Sequence, residues 1–184
     1  MDLRRVLNEI CFDMDTDLKL LNLAMKTEAR SLGLCDEWFG EWSDDEGVDE
    51  LLNKMMKGVD FCLKHRFPSN EILLKYAGRE KLREHRIFID DEIDGSGVIS
   101  GSGVYYVGGN TKGTLVFDGF DVATVYVTDD ADVGIQPRGM SKVFVETWHN
   151  GRVWMHSVSS NRCFVYQHGG DVNVLGDVIV RDKR

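Results

Sequence analysis

Hydrophobic and polar positions follow one period in the first half of this chain and another in the second. "DTDLKLLNLAMKTEARSLG" sets Leu18, Leu21, Met25 and Leu32 at helical spacing, which predicts a helix over 17–32 with Gly33 at its C-terminal cap. In "VDELLNKMMKGVDFCLKH", Leu51, Leu52, Met55, Met56, Val59, Cys62 and Leu63 form one broad apolar stripe behind an acidic start, a second helical stretch. Pro68 then stops the pattern and Ser69 offers a cap. A short helix carrying Ile72, Leu73 and Tyr76 follows, closed by Gly78. Trp38, Phe39 and Trp42 fall on a short helix between the longer two, where a small bundle needs aromatic bulk in its core.

Past residue 90 the helical period disappears and one short phrase recurs. "GTLVF" (113–117) is followed by "ATVYV" (123–127), "ADVGI" (131–135), "SKVFV" (141–145), "GRVWM" (151–155) and "NRCFV" (161–165), then by the looser "GDVNV" (170–174) and "GDVIV" (176–180). Self-similarity at a fixed period is the signature of a repeat architecture. Each phrase reads small or polar, polar, apolar, variable, apolar, a short strand with two side chains on one face. The separators "DD", "PRG", "HNG", "SSN" and "HGG" are turn formers.

Two folds satisfy this pattern. In a β-solenoid two phrases make one coil of about 19 residues, with Val125, Val143 and Cys163 in one interior file and Val133, Val153 and Val172 in another. In an antiparallel meander or sandwich, "HNG" and "HGG" would be hairpin turns. Strands this short bury little in a meander, so the solenoid is preferred. The expected organisation is α+β: a helical region over 1–87 and a β-solenoid over 88–184, with the N-terminal helices capping one end.

In the solenoid, Tyr126, Phe144 and Phe164 point outward as one aromatic file, and a neighbouring face offers Gly134, Trp154 and Asn173. Aromatic side chains in an exposed row call for a partner. That partner is the helical half, a second copy of the chain, another protein, or a sugar stacking on the rings.

Composition narrows the field. A net charge of −9 with no dense basic run argues against nucleic acid as the main partner; the nearest approach, "GREKLREHR" (78–86), carries two glutamates and reads as a solvated helix face. Glycine is redistributed: 5 of the 19 precede residue 91 and 14 follow it, in keeping with the change from helices to turns. Cys11, Cys35, Cys62 and Cys163 are scattered without a CxxC or Cys/His pair, which gives no zinc site and suits reduced thiols in the cytoplasm. The apolar runs are too short to cross a bilayer and no basic-then-apolar leader opens the chain.

Candidate chemistry is sparse. "ICFDMDTDL" is similar to the first motif of haloacid-dehalogenase-type phosphohydrolases, and the resemblance implies Asp13 as nucleophile and Asp15 as acid/base beside magnesium. The alternating strands and helices such an enzyme needs are missing, and a helix cap at Asp15 or Thr16 explains the same letters. As a calcium loop the segment has Leu18 and Ala24 where glycine and glutamate belong. "GSGVISGSGVYYVGGNTKG" (95–113) contains neither a GK[ST] nor a complete dinucleotide fingerprint. In a 19-residue coil His149 and His168 would stack, without a third metal ligand. No G-x-S-x-G elbow supports a serine nucleophile.

With its helical N-terminal segment, its "DFCLKHRFPSNEIL" phrase and its VxV repeats ending in "VIVRDKR", the chain resembles uncharacterised bacterial proteins carried by prophages and other mobile elements. The resemblance implies a helical cap joined to a repeat body and brings no activity with it. The expectation is therefore a cytoplasmic, non-catalytic protein-binding or scaffold module without cofactor or metal. Its partner is another protein or a second copy, and its binding residues are Tyr126, Phe144, Phe164 and Trp154. A small magnesium-dependent phosphohydrolase using Asp13 and Asp15, and a carbohydrate-binding module, are the alternatives.

Overall fold

The computed structural model describes residues 14–94, 101–157 and 163–184, with side chains from residue 18 onward. Six helices precede eleven strands among these residues. The chain packs as two compact units, Met1–Pro68 and Ser69–Arg184.

In the first unit, α1 (Met14–Ser31), α2 (Asp36–Gly40), α3 (Val48–Lys57) and α4 (Val59–His65) bury Leu21, Met25, Leu52, Met55 and Leu63. Helix α1 closes as its sequence predicts, with Gly33 at φ +96° and Leu34 N–H donating to the Ala29 carbonyl. Its start differs. Asp15 and Thr16 already lie inside the helix, so neither is its N-cap; Asp13 lies outside the described residues. The apolar stripe over 48–65 is two helices rather than one. Gly58 leaves helical geometry at φ −102°, ψ 32°, and the Trp38 ring packs where a side chain would stand, 3.1 Å from a Cβ. Trp42 is the core staple expected. Its Nε1 donates to Asn22 Oδ1 at 2.7 Å while Asn22 Nδ2 donates to the Ser43 carbonyl, so a buried amide ties the aromatic loop to α1 with both ends satisfied.

In the second unit, Ser69 Oγ accepts from Ile72 N–H at the head of α5 (Asn70–Tyr76). Gly78 does not close the helical region; at φ +72° it turns the chain into a further helix, α6 (Gly78–Glu84). The first strand starts at Ile87. By packing, α5 and α6 belong with the strands, because α6 lies on β1 (Ile87–Ile89) and the boundary between the units falls at 68/69. Ile87, Phe88 and Ile89 are all buried, so both faces of β1 are covered.

The repeats are a β-solenoid. Strands β1, β3 (Gly103–Gly108), β5 (Val122–Val127), β7 (Lys142–Thr147), β9 (Cys163–Gln167) and β11 (Val178–Asp182) form one parallel sheet. Strands β2 (Glu92–Ile93), β4 (Lys112–Phe117), β6 (Asp132–Pro137), β8 (Arg152–Ser157) and β10 (Asp171–Gly176) form the other. Every pairing is parallel and skips one strand, which rules out the antiparallel meander or sandwich. Between the two sheets the alternate residues Tyr105, Leu115, Phe117, Val125, Ile135 and Met155 are buried in one continuous core.

The coil is 20 residues through the middle of the stack, and this changes one interior file. Val133, Val153 and Val172 align as expected. Val125 does not lie over Val143: the register sets Ala123, Val143, Cys163 and Val178 in one file and Tyr105, Val125, Val145, Val165 and Val180 in the next. The turns enforce the period. Gly109, Gly119, Asp129, Gly139 and His149, spaced by ten, all take the left-handed conformation, and successive coils are joined there by Asp130 N–H to the Gly109 carbonyl and Asn150 N–H to the Asp129 carbonyl. Asp129 Oδ2 also accepts from Gly109 N–H and from Asn70 Nδ2, tying the head of α5 to a turn of the solenoid.

The last coil is shorter. Val172 pairs with Val153, a step of 19, and Val178 with Cys163, a step of 15, because Asp177 alone links β10 to β11. That corner requires glycine at 176. Its φ is +91°, and a Cβ would run into the Ser157 carbonyl oxygen.

Candidate functional site

Outward side chains on β7, β9 and β11 form a layered patch set by the 20-residue register. Phe144 and Phe164 are neighbours and their rings stack, with centroids 5.4 Å apart and planes within 6°. Tyr126 is not in their file. The residue beneath Phe144 is Thr124, while Tyr126 aligns with Tyr106, Glu146 and Tyr166, one outward position further along the strands. The expected single row of three is therefore a two-ring stack with Tyr126 to one side. All three are half-buried.

Beyond the strand ends a second stack extends the patch. His168 lies over Trp148 rather than over His149, with centroids 4.2 Å apart and planes within 10°, because the coil advances 20 residues and not 19. His149 instead hydrogen-bonds through Nδ1 to Thr128 Oγ1 at 2.7 Å. One oxygen of Glu146 serves both rings: Trp148 Nε1 donates to Oε2 at 3.4 Å, and His168 Nε2 lies 3.4 Å from the same atom. Arg181, the next residue in the file above Tyr166, places its guanidinium 5.7 Å from the Tyr166 ring and 6.0 Å from that of Phe164. Stacked rings thus sit with one carboxylate and one guanidinium, a surface suited to flat apolar contact with polar registration.

The sequence places Trp148 near the histidines of the repeat body, but its pattern does not bring Glu146, Tyr166 and Arg181 beside it. The signal for Trp148, Glu146 and Tyr166 is the exact 20-residue offset between strands, which an average of uneven phrase spacings conceals, and Arg181 joins them only through the 15-residue step of the last coil.

On the opposite sheet Trp154 lies between Gly134 and Asn173, as the repeat alignment predicts, and is 58% exposed. Gly134 offers no side chain beside it, and the adjacent outward file carries an Arg152–Asp132 ion pair at 3.1 Å. The patch and Trp154 are on different sheets and do not form one site.

The first unit holds an apolar cavity of about 410 Å³ lined by Met25, Trp38, Trp42, Phe61, Cys62 and Phe67. Burial pushes the Cys62 thiol up to about 12, and it raises that of Cys163 in the solenoid, so neither is activated. Among the described residues no cluster of three or more His, Cys, Asp or Glu could hold a metal ion, and no helix is long and apolar enough to cross a membrane. One carboxylate is strongly held: Arg83 grips Asp91 through two bonds, Nε to Oδ2 at 2.7 Å and Nη2 to Oδ1 at 2.5 Å, and keeps its carboxyl below the usual range. This pair joins α6 to the first coil and is structural.

No protein-family model, curated protein or solved structure matches this chain.

Proposed function

We propose that the protein is a non-catalytic binding or scaffold module whose solenoid docks a protein partner on the outward face of β7, β9 and β11. The observation that carries this reading is the pair of ring stacks, Phe144–Phe164 and Trp148–His168, flanked by Glu146 and Arg181. Interfaces draw their binding energy from aromatic and Arg anchors ringed by polar groups, and a rigid parallel sheet holds such anchors at little entropic cost. Tyr126 extends the face toward the first coils. We place the protein in a reducing cytoplasm, which suits the free thiols of Cys35, Cys62 and Cys163, and within the mobile-element context its sequence resembles.

The test compares wild type with Phe144→Ser/Phe164→Ser in pull-downs from the native cell. Loss of the recovered partners, with circular dichroism unchanged and unfolding still cooperative, supports docking here. Equal recovery by a folded variant removes the face from consideration.

Trp154 favours carbohydrate as a second reading, since an exposed indole beside Asn173 and the Arg152–Asp132 pair offers a sugar both a stacking plane and hydrogen-bond partners. Titration of a glycan panel against Trp fluorescence checks it. A quench that Trp154→Ala abolishes supports it, and an unchanged spectrum across the panel ends it.

A further inference from the structure

The two ends of the solenoid are finished differently. At the first coil α6 packs on β1, and Ile87, Phe88, Ile89 and Ile93 are buried. At the last coil the core files run out to Val172 and Val174 on β10 and to Val178 and Val180 on β11, where Val174 is 38% and Val180 41% exposed. Leu175 and Ile179, on the outward faces of the same strands, are also exposed. Strands β10 and β11 are the edge strands of their sheets, so each turns one row of backbone donors and acceptors away from β8 and β9.

We propose that this β10–β11 end is a docking surface for a second copy of the chain, joined end to end about a two-fold axis. Its shape selects the occupant. It consists of two strand edges, one from each sheet, with valines between them, and the object that matches both edges and the valine core at once is another such end. In this chain's first coil α6 lies on β1, so that end does not offer two open edges, which leaves a second β10–β11 end. A two-fold axis normal to the sheets sets β11 antiparallel to β11 and β10 antiparallel to β10, continuing both sheets and closing both edges.

Strand overlap and charge together set the register. Centring the β11 pair on Val180 places Arg181 of one copy opposite Ile179 of the other and Lys183 opposite Asp177. Val180 is the midpoint of β11, so this register pairs the whole strand, whereas moving the centre to Arg181 would bring two guanidinium groups together. At about 3.3 Å per residue the edges span about 20 Å, and sheets about 10 Å apart with their outward side chains present about 450 Å² per copy. The resulting total of about 900 Å² lies below the roughly 1,200–2,000 Å² of stable specific interfaces and in the range of weak, transient ones, which gives a dimer that dissociates on dilution rather than an obligate one. The isologous contact closes on itself, and with α6 on β1 at the other end the assembly stops at two copies.

Sedimentation velocity on the full chain over a hundredfold concentration range tests this. Wild type should rise from the 20.9 kDa monomer toward twice that mass and no further. Val174→Lys/Val180→Lys, placed where both side chains already reach solvent, should remain monomeric throughout with its circular dichroism unchanged. If the double lysine variant unfolds, Lys183→Glu should weaken dimerisation at least tenfold, and Asp177→Lys/Lys183→Glu should restore it. A wild type that stays monomeric, a dimer untouched by these substitutions, or growth past two copies overturns the proposal.

Discussion

Replacing Val145 with alanine removes two methyl groups from the centre of the stack. Val145 is fully buried, with Val125 on the coil before it and Val165 on the coil after it. Each buried carbon contributes about 0.8 kcal/mol by transfer from water, so the loss begins near 1.6 kcal/mol. A stacked file cannot collapse onto one missing side chain, because its backbone spacing is held by hydrogen bonds on both sides. The residual cavity therefore raises the cost to about 2–3 kcal/mol. Two controls bracket the number. Phe144→Ser, one residue away and outward, should cost about 1 kcal/mol through the lost ring stack, and exposed Lys142→Ala should stay within about 0.5 kcal/mol. Urea unfolding followed by far-UV circular dichroism, at constant m, gives all three values. A one-residue slip in register would exchange the faces of β7. A Val145→Ala cost below about 0.5 kcal/mol with a Phe144→Ser cost above 2 kcal/mol would therefore refute the assigned register.

Further outcomes follow from the same contacts. Asn22→Ala leaves the Trp42 indole N–H buried without its acceptor and should destabilise the helical unit by about 1–3 kcal/mol in a Trp-fluorescence melt. Asp91 is held below the usual carboxylate range by Arg83, so the unfolded chain takes up its proton first as pH falls. The pair's stability is full at neutral pH and is lost as pH drops through the ordinary carboxyl range to the depressed native value; Asp91→Asn should flatten that acid limb in urea titrations against pH. In native protein a thiol reagent read by peptide mapping should label exposed Cys35 and spare Cys62 and Cys163 until urea is added, their thiols being buried and raised. Gly176→Ala should loosen the last coil, seen as faster amide exchange in β10 and β11 with β5 and β7 unchanged.

The architecture was legible because its signal is chemical and local. A repeated polar–apolar–variable–apolar phrase with Gly, Asp and Asn between copies leaves few ways to bury its inward valines, and the solenoid buries those of its middle coils. The register was less legible. Uneven phrase starts average below the true coil, and the residues that hold the period are the left-handed turn positions, where Asp129 and His149 stand in line with glycines and do not read as one class. That difference of a residue or two misplaced Val125 in its file and separated Tyr126 from Phe144 and Phe164. It also concealed the Trp148–His168 stack. The break at Gly58 was hidden for another reason: the apolar stripe continues through it, and its cause is Trp38, a neighbour distant in sequence. The exposed last coil depends on what packs against it, which no local pattern records.

Inter-strand proton contacts measured by NMR test the 20-residue parallel coil most directly. A parallel coil of this length requires cross-peaks linking Val125 to Val145 and Val145 to Val165, and Val133 to Val153, each between strands two apart in sequence. Cross-peaks pairing β5 with β6 and β7 with β8 in opposite directions, around the turns at 128–131 and 148–151, would contradict it.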